Sequence, residues 1–379
     1  MKNIILLILA LAVSALHAAG VNTLRVPEGG LQPQIATDTA GTVHLLYFKG
    51  EPNNGDLFYV KSTDGETFSA PLKVNSNAGS AVATGNIRGA HIALGKNGRV
   101  HVAWMGSGKA PKGPQNAMPM QYTRLNDTGN AFEPERNVLQ FAYGLDGGGS
   151  IAADATGNVY VFWHADAGAK GEINRQVWIA KSTDDGKTFA REVPAFKQPT
   201  GACGCCGMRA YANAKGELFV IYRSASGAAK MPDMRDMFLL TSKDKGASFS
   251  GVNLHPWKVN MCVMSTASFS ENAGGVLAAW ETQSQVFFTK LSPAGQPGTP
   301  VAAPGAGKRK HPSLAVNKSG ETLMVWTDGM GWQKGGAVEW QLFDASGKPS
   351  GDKGRADGVP PNSLVGAFAK ADGSFVVVY

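Results

Sequence analysis

Cysteine is scarce in this 379-residue chain, four in all, yet three of them fall within four positions of one glycine-flanked stretch, GACGCCGMRA (201–210). Charge is sparse as well, at 17% of residues, and the formal net charge of +7 is scattered among acids. That leaves no basic stripe with interleaved aromatics, which excludes a nucleic-acid partner. Beyond residue 20 there is no long apolar run, so no membrane-spanning helix is expected. No stretch combines strong helix formers with a 3.6-residue period, whereas glycine supplies 48 residues, so the chain reads as many short strands and turns. Linkers and low-complexity tracts are missing too, which gives a single domain over residues 20–379.

The one apolar run is at the start, in MKNIILLILALAVSALHAAG. Lys2, the stretch Ile4 to Val13 and the small residues Ala15, Ala18 and Ala19 read as a secretory signal peptide over residues 1–19. The mature chain is then periplasmic or secreted, where thiols oxidise readily.

A short pattern recurs seven times: glycine, alternating apolar residues, then an aromatic six positions on. The instances are GTVHLLY (41–47), GRVHVAW (98–104), GNVYVFW (157–163), GELFVIY (216–222), GGVLAAW (274–280), GETLMVW (320–326) and GSFVVVY (373–379), spaced 46 to 59 residues apart. Each follows a short apolar segment and a polar turn, so each unit opens with a β-hairpin. Further strand-like runs lie between them, and four strands per unit is the grammar of a β-propeller blade. The expected fold is all-β, a seven-bladed propeller of four-stranded antiparallel blades; six blades would result if the first and seventh hairpins shared one. The seventh blade lacks outer strands after Tyr379, and NTLRVPE (22–28) is placed to supply one. Repeat tryptophans Trp104, Trp163, Trp280 and Trp326 are expected between blades.

Turns after the third strands carry a second signature. STDDGKTF contains Ser182, Asp184, Gly186 and Phe189; SKDKGASF contains Ser242, Asp244, Gly246 and Phe249; the shortened STDGETF contains Ser62 and Asp64. These resemble the Asp boxes, or bacterial neuraminidase repeats, of the sialidase superfamily, and the resemblance spans nearly all of the mature chain. It implies a propeller in which the boxes are structural and face away from the ligand site. It also implies an arginine triad for a substrate carboxylate, a tyrosine nucleophile paired with glutamate, and an aspartate acid/base. Arg25, in LRVP, matches the first arginine, and Arg88 and Arg209 stand at the starts of inner strands. No tyrosine lies between Tyr222 and Tyr379, so the nucleophile expected in a late blade is missing and a retaining glycosidase lacks its covalent route. Whether the protein is an enzyme stays open.

Connectivity puts Cys203, Cys205, Cys206 and Cys262 on adjacent blade-to-blade connections of one face. Two chemistries fit: disulfides bracing the face, or a soft-metal site for copper or zinc, with Met231, Met234, Met261 and Met264 as thioether donors. A thiol-redox role is a third. Arg88, Arg209 and Arg235 offer recognition of an anionic small molecule, a glycan or a protein partner. Asp166, Glu281, Asp328 and His311 sit at strand ends on this face, as do His164 and Arg223, and two of the carboxylates would make an acid/base pair if the blades brought them together. Trp257 and Trp332, outside the repeat, are candidates for stacking on a ligand. The leading expectation is an exported propeller that binds a ligand through this channel-mouth face and needs no cofactor. The alternatives are an exo-acting glycoside hydrolase with a rearranged site and a periplasmic copper-binding protein.

Overall fold

The computed structural model describes residues 20–166, 168–227 and 232–379. The signal-peptide stretch and Met231 lie outside the described residues. Seven sheets form in chain order: six are four-stranded and antiparallel, and the seventh has three strands. Their inner strands are Leu31–Thr37, His91–Leu94, Gly149–Ala153, Arg209–Ala212, Ser268–Asn272, Arg309–Val316 and Gly366–Ala369. Each packs beside the next, and the seventh packs against the first, which closes the ring at seven blades.

The repeat pattern supplies the second strand of every blade. Val100–Met105 is buried throughout, as is Val159–Ala165. A blade is covered on both faces by its neighbours, so these strands read as apolar runs and not as alternating ones. Trp104, Trp163 and Trp280 are almost wholly buried between blades, Trp163 among Met120, Tyr122 and Leu145. Two histidines enter this interior with a tyrosine partner: His44 Nδ1 lies 2.7 Å from the Tyr59 hydroxyl and His101 Nδ1 2.8 Å from that of Tyr122.

Ring closure uses the amino-terminal strand Val21–Leu24, which pairs in parallel with Phe375–Val378. The Tyr379 amide donates to the Leu24 carbonyl and the Val26 amide to the Tyr379 carbonyl, both at 3.0 Å.

The Asp boxes are local turn clamps. Ser182 Oγ donates to Asp184 Oδ1 at 2.7 Å and accepts from the Gly186 amide at 2.9 Å, while the Thr188 amide donates to Asp184 at 2.9 Å. The box at Ser242, Asp244 and Gly246 repeats this, and Ser62 with Asp64 makes the shortened version. Partial burial would raise the Asp184 pKa, but hydrogen bonds from Thr188 and Ser182 prevail and hold it down at about 2. Phe189 packs edge-on against Tyr122 at 4.7 Å and Phe249 against Phe162 at 6.0 Å, so the boxes also wedge neighbouring blades together. Gly186 has φ +78°, and a Cβ there would lie 1.8 Å from the Tyr122 hydroxyl. Gly186→Ala is therefore expected to cost about 2–3 kcal/mol, from overpacking plus the positive φ. A urea melt with an unchanged midpoint would refute this.

Candidate functional site

The cysteine loop leads into the fourth blade and is clamped on several sides. The Cys203 amide donates to the Arg223 carbonyl at 2.9 Å, the Gly204 amide to Glu172 Oε1 at 2.6 Å, and the Gly207 amide to the Ser265 carbonyl at 3.0 Å. Backbone proximity requires glycine at Gly147, where a Cβ would lie 2.6 Å from the Gly204 carbonyl and 2.8 Å from the Cys206 carbonyl, while one at Gly204 would displace the Arg175 guanidinium, 2.0 Å away. The loop thus carries its thiols inward. Cys203 Sγ lies 3.2 Å from Cys205 Sγ and 3.5 Å from Cys206 Sγ, and the three sulfurs all fall within 4.8 Å of one another. Cys262 is exposed and comes within range of Cys205; all four are free thiols.

Arginine and glutamate surround the sulfurs. Arg223, 2% exposed, donates to the Arg235 carbonyl at 2.8 Å, pairs with Glu281 at 3.5 Å and lies 5.1 Å from the centre of the Trp257 ring. Arg235 pairs with Glu172 at 2.8 Å. Burial opposes ionisation of Cys206, yet hydrogen bonding from Cys203 and Cys205 and the charge of Arg223 pull its pKa well below the usual thiol range. Cys203 moves the other way. Burial raises the Glu281 carboxyl, with Arg223 opposing.

Four of the expected strand-end residues are not rim charges, whereas Asp166 and Asp328 stay partly exposed. His164, Arg223, Glu281 and His311 are each 3% exposed or less, because the connections fold over the strand ends. Nor do the carboxylates form a pair: Asp166 faces Arg175 at 3.7 Å, Glu281 faces Arg223, and Asp328 faces Arg355 at 3.1 Å. Arg88 is held by Asp146 at 2.7 Å. Arg25 is spent on the closure, donating to the carbonyls of Gly358 and Asp357 and covering the Tyr379 ring at 4.0 Å. Trp257 is half-buried against the cysteine loop. Trp332 is half-exposed and its ring rests on Gly85 beside Arg88, reaching from the sixth blade to the second. Met261 is exposed, Met264 has φ 46°, and Met234 bridges Ser226 and Lys258.

Arg209 is different. It lies at one end of a central cavity of about 1120 Å³ that runs to the turns between inner and second strands on the opposite face. Its guanidinium reaches across to Gln34 Oε1, and among the described residues it has no carboxylate partner. Burial pushes its pKa down to about 10. The acids of the cavity wall are tied up locally: Asp38 caps its own turn, Asp154 holds Thr156 and Asn158, Glu217 takes Asn213, and Glu271 accepts from the Tyr211 hydroxyl at 2.9 Å. The pair Tyr211–Glu271 escaped the sequence reading, which sought a tyrosine in a late blade. Its signal was there, since both residues sit on adjacent inner strands. Glu172 and Arg175 were also missed, although an acid and a base three apart in the loop KGEINRQ fall on the face of the cysteines.

Burial, then the charges of Arg175 and Lys310 respectively, depress the pKa of His164 to about 4 and of His311 to about 3. Protons therefore favour the unfolded chain. The stability these rings contribute is whole above their ordinary pKa of 6.5 and is lost as pH falls from there toward 4 and 3. For His164 the loss is about 3 kcal/mol at 1.36 kcal/mol per unit. His164→Gln is expected to flatten the pH dependence of the urea midpoint across this window; an unaltered slope would refute the assignment.

Among the described residues no helix is long and apolar enough to cross a membrane. No protein-family model and no curated protein matches the chain. Solved structures do: the Hadza microbial sialidase Hz136, at TM-score 0.50 and 13% identity over 86% of this chain and 74% of that one. The Penicillium chrysogenum α-L-arabinanase complexed with arabinobiose matches at TM-score 0.52 and 14% identity over 85% and 95%. A mutant of the α-L-arabinofuranosidase arb93a from Fusarium graminearum, in complex with an iminosugar inhibitor, matches at TM-score 0.50 and 14% identity over 86% and 93%. These likenesses show the fold.

Proposed function

We propose that this sialidase-like propeller is exported by the segment 1–19 and binds a carboxylated carbohydrate in its central cavity, with the carboxylate on Arg209. The observation that carries the reading is the unpaired guanidinium. A buried charge is ordinarily matched, and of the three arginines singled out for anion recognition Arg88 and Arg235 are matched while Arg209 is not. A carboxylate accepts two parallel N–H bonds from the guanidinium, a geometry that a neutral sugar cannot reproduce. Similarity to a sialidase and to enzymes solved with sugar ligands supports a carbohydrate as the carrier of that carboxylate.

Calorimetry with glucuronate, galacturonate and N-acetylneuraminate, against their uncharged counterparts, tests this. The acids are expected to bind and Arg209→Gln to weaken them by about 10- to 100-fold, the worth of a charged hydrogen bond. Equal affinity for neutral sugars, or an unaffected Arg209→Gln variant, would sink it.

The Tyr211–Glu271 pair supports a second reading, hydrolysis of such a ligand. Burial and the neighbouring Glu271 charge raise the phenol pKa well above normal, so Tyr211 is protonated at rest. A nucleophilic role requires Glu271 to take the proton as the bond forms. Turnover of an aryl glycoside that survives Tyr211→Phe would exclude that route.

A further inference from the structure

The sulfur cluster has no part in the cavity site. We propose that Cys203, Cys205 and Cys206 form a three-thiolate site for a monovalent soft metal ion, copper(I).

Three sulfurs converge where a disulfide uses two, so any bridge within the loop would strand a third thiol in the same small space. Metal–sulfur bonds of about 2.3 Å place three sulfurs roughly 4 Å apart in a trigonal plane. The thiols stand at 3.2 and 3.5 Å and within 4.8 Å, so small side-chain rotations suffice. The donor set is wholly sulfur: among the described residues no imidazole or carboxylate joins the trio. Thiolates alone, in a compact group of three, suit copper(I), whereas zinc in a structural site takes four ligands. The fourth cysteine, Cys262, is exposed and stands outside the group of three.

The surroundings fit a metal that has to be kept reduced. Ala225, Val263, Val259 and Trp257 pack around the sulfurs and exclude water. Arg223, which holds Glu281, and Arg235, which holds Glu172, border the loop and stand ready as counter-charge once the thiols have given up their protons to bind the metal. The loop is already fixed by Arg223, Glu172 and Ser265 before any metal arrives. On binding, each ligating thiol passes its proton to solvent and its sulfur forms one bond to the metal; copper arrives as copper(I), so no electron is transferred.

The test uses the exported chain, reduced and handled without oxygen, titrated with copper(I) against bicinchoninate. One equivalent is expected, with the near-ultraviolet absorption of copper–thiolate bonds. Cys203 and Cys206 are buried, so the half-buried Cys205 is the better position to change. Cys205→Ser is expected to lose the equivalent while circular dichroism and melting stay as in the parent, and Cys262→Ser to keep it. Loss of copper in Cys262→Ser would overturn the three-sulfur site. So would one equivalent of zinc that copper(I) fails to displace, or four blocked cysteines in the exported chain together with no copper uptake after reduction.

Discussion

Arg223→Met is expected to destabilise the protein by about 3–5 kcal/mol, because it leaves the Glu281 carboxylate buried without its counter-charge. Glu281 is 1% exposed, and its other bond, from the Ser284 amide at 2.7 Å, does not replace a guanidinium. The variant also removes the donor to the Arg235 carbonyl and the cation resting on Trp257. The sign of the pH dependence follows. Burial already raises the Glu281 pKa, and loss of Arg223 raises it further, so proton uptake relieves the defect in acid. The destabilisation is therefore larger near pH 8 than near pH 5, on the linkage argument. Adding Glu281→Gln recovers part of the loss, with a coupling energy of at least about 1 kcal/mol for groups in direct contact. Additive effects in urea melts of the single and double variants would show that the pair is not the cause.

Removing residues 20–26 is expected to be at least as damaging, on the order of 5 kcal/mol. Val26 is 4% exposed between the seventh and first blades, Leu24 packs partly buried in the same cluster, and Val21 packs partly buried between the sixth and seventh blades; each aliphatic side chain is worth roughly 1.5–3 kcal/mol when buried. The truncation also bares one edge of Phe375–Val378, a strand of four apolar residues whose amides and carbonyls then lack partners. Such an edge recruits other chains, so the truncated protein is expected to scatter light increasingly with concentration. A monomeric truncated protein with the parent's urea midpoint would refute the closure argument.

Much of the fold is legible from one short pattern. The glycine-to-aromatic repeat marks the second strand of each blade because that strand is buried on both faces whatever its neighbours are. The Asp boxes are equally readable, since every bond in the clamp is made within a few residues. The parallel direction of Val21–Leu24 is not, because an apolar tetrad packs alike either way round and only tertiary contacts choose. The site was legible in part. Topology alone collects the four cysteines on one face, as their adjacent connections require. What it does not supply is depth: strand ends such as His164 and His311 look like rim positions until the connections are laid over them. Pairing is also hidden, for Arg88 meets Asp146 and Arg223 meets Glu281 across 58 residues each. Arg209 stood out only once the other arginines had found their acids.

The abundance of glycine now has a different meaning from the one composition suggests. In an unfolded or loosely folded chain, glycine signals latitude. At Gly147, which has no positive φ, it marks the reverse: a place where one backbone lies directly on another and a single methyl group has nowhere to go. The cysteine loop is seated by that clearance as well as by the hydrogen bonds of its amides to Arg223, Glu172 and Ser265, so its thiols are aimed in part by the absence of atoms beside them.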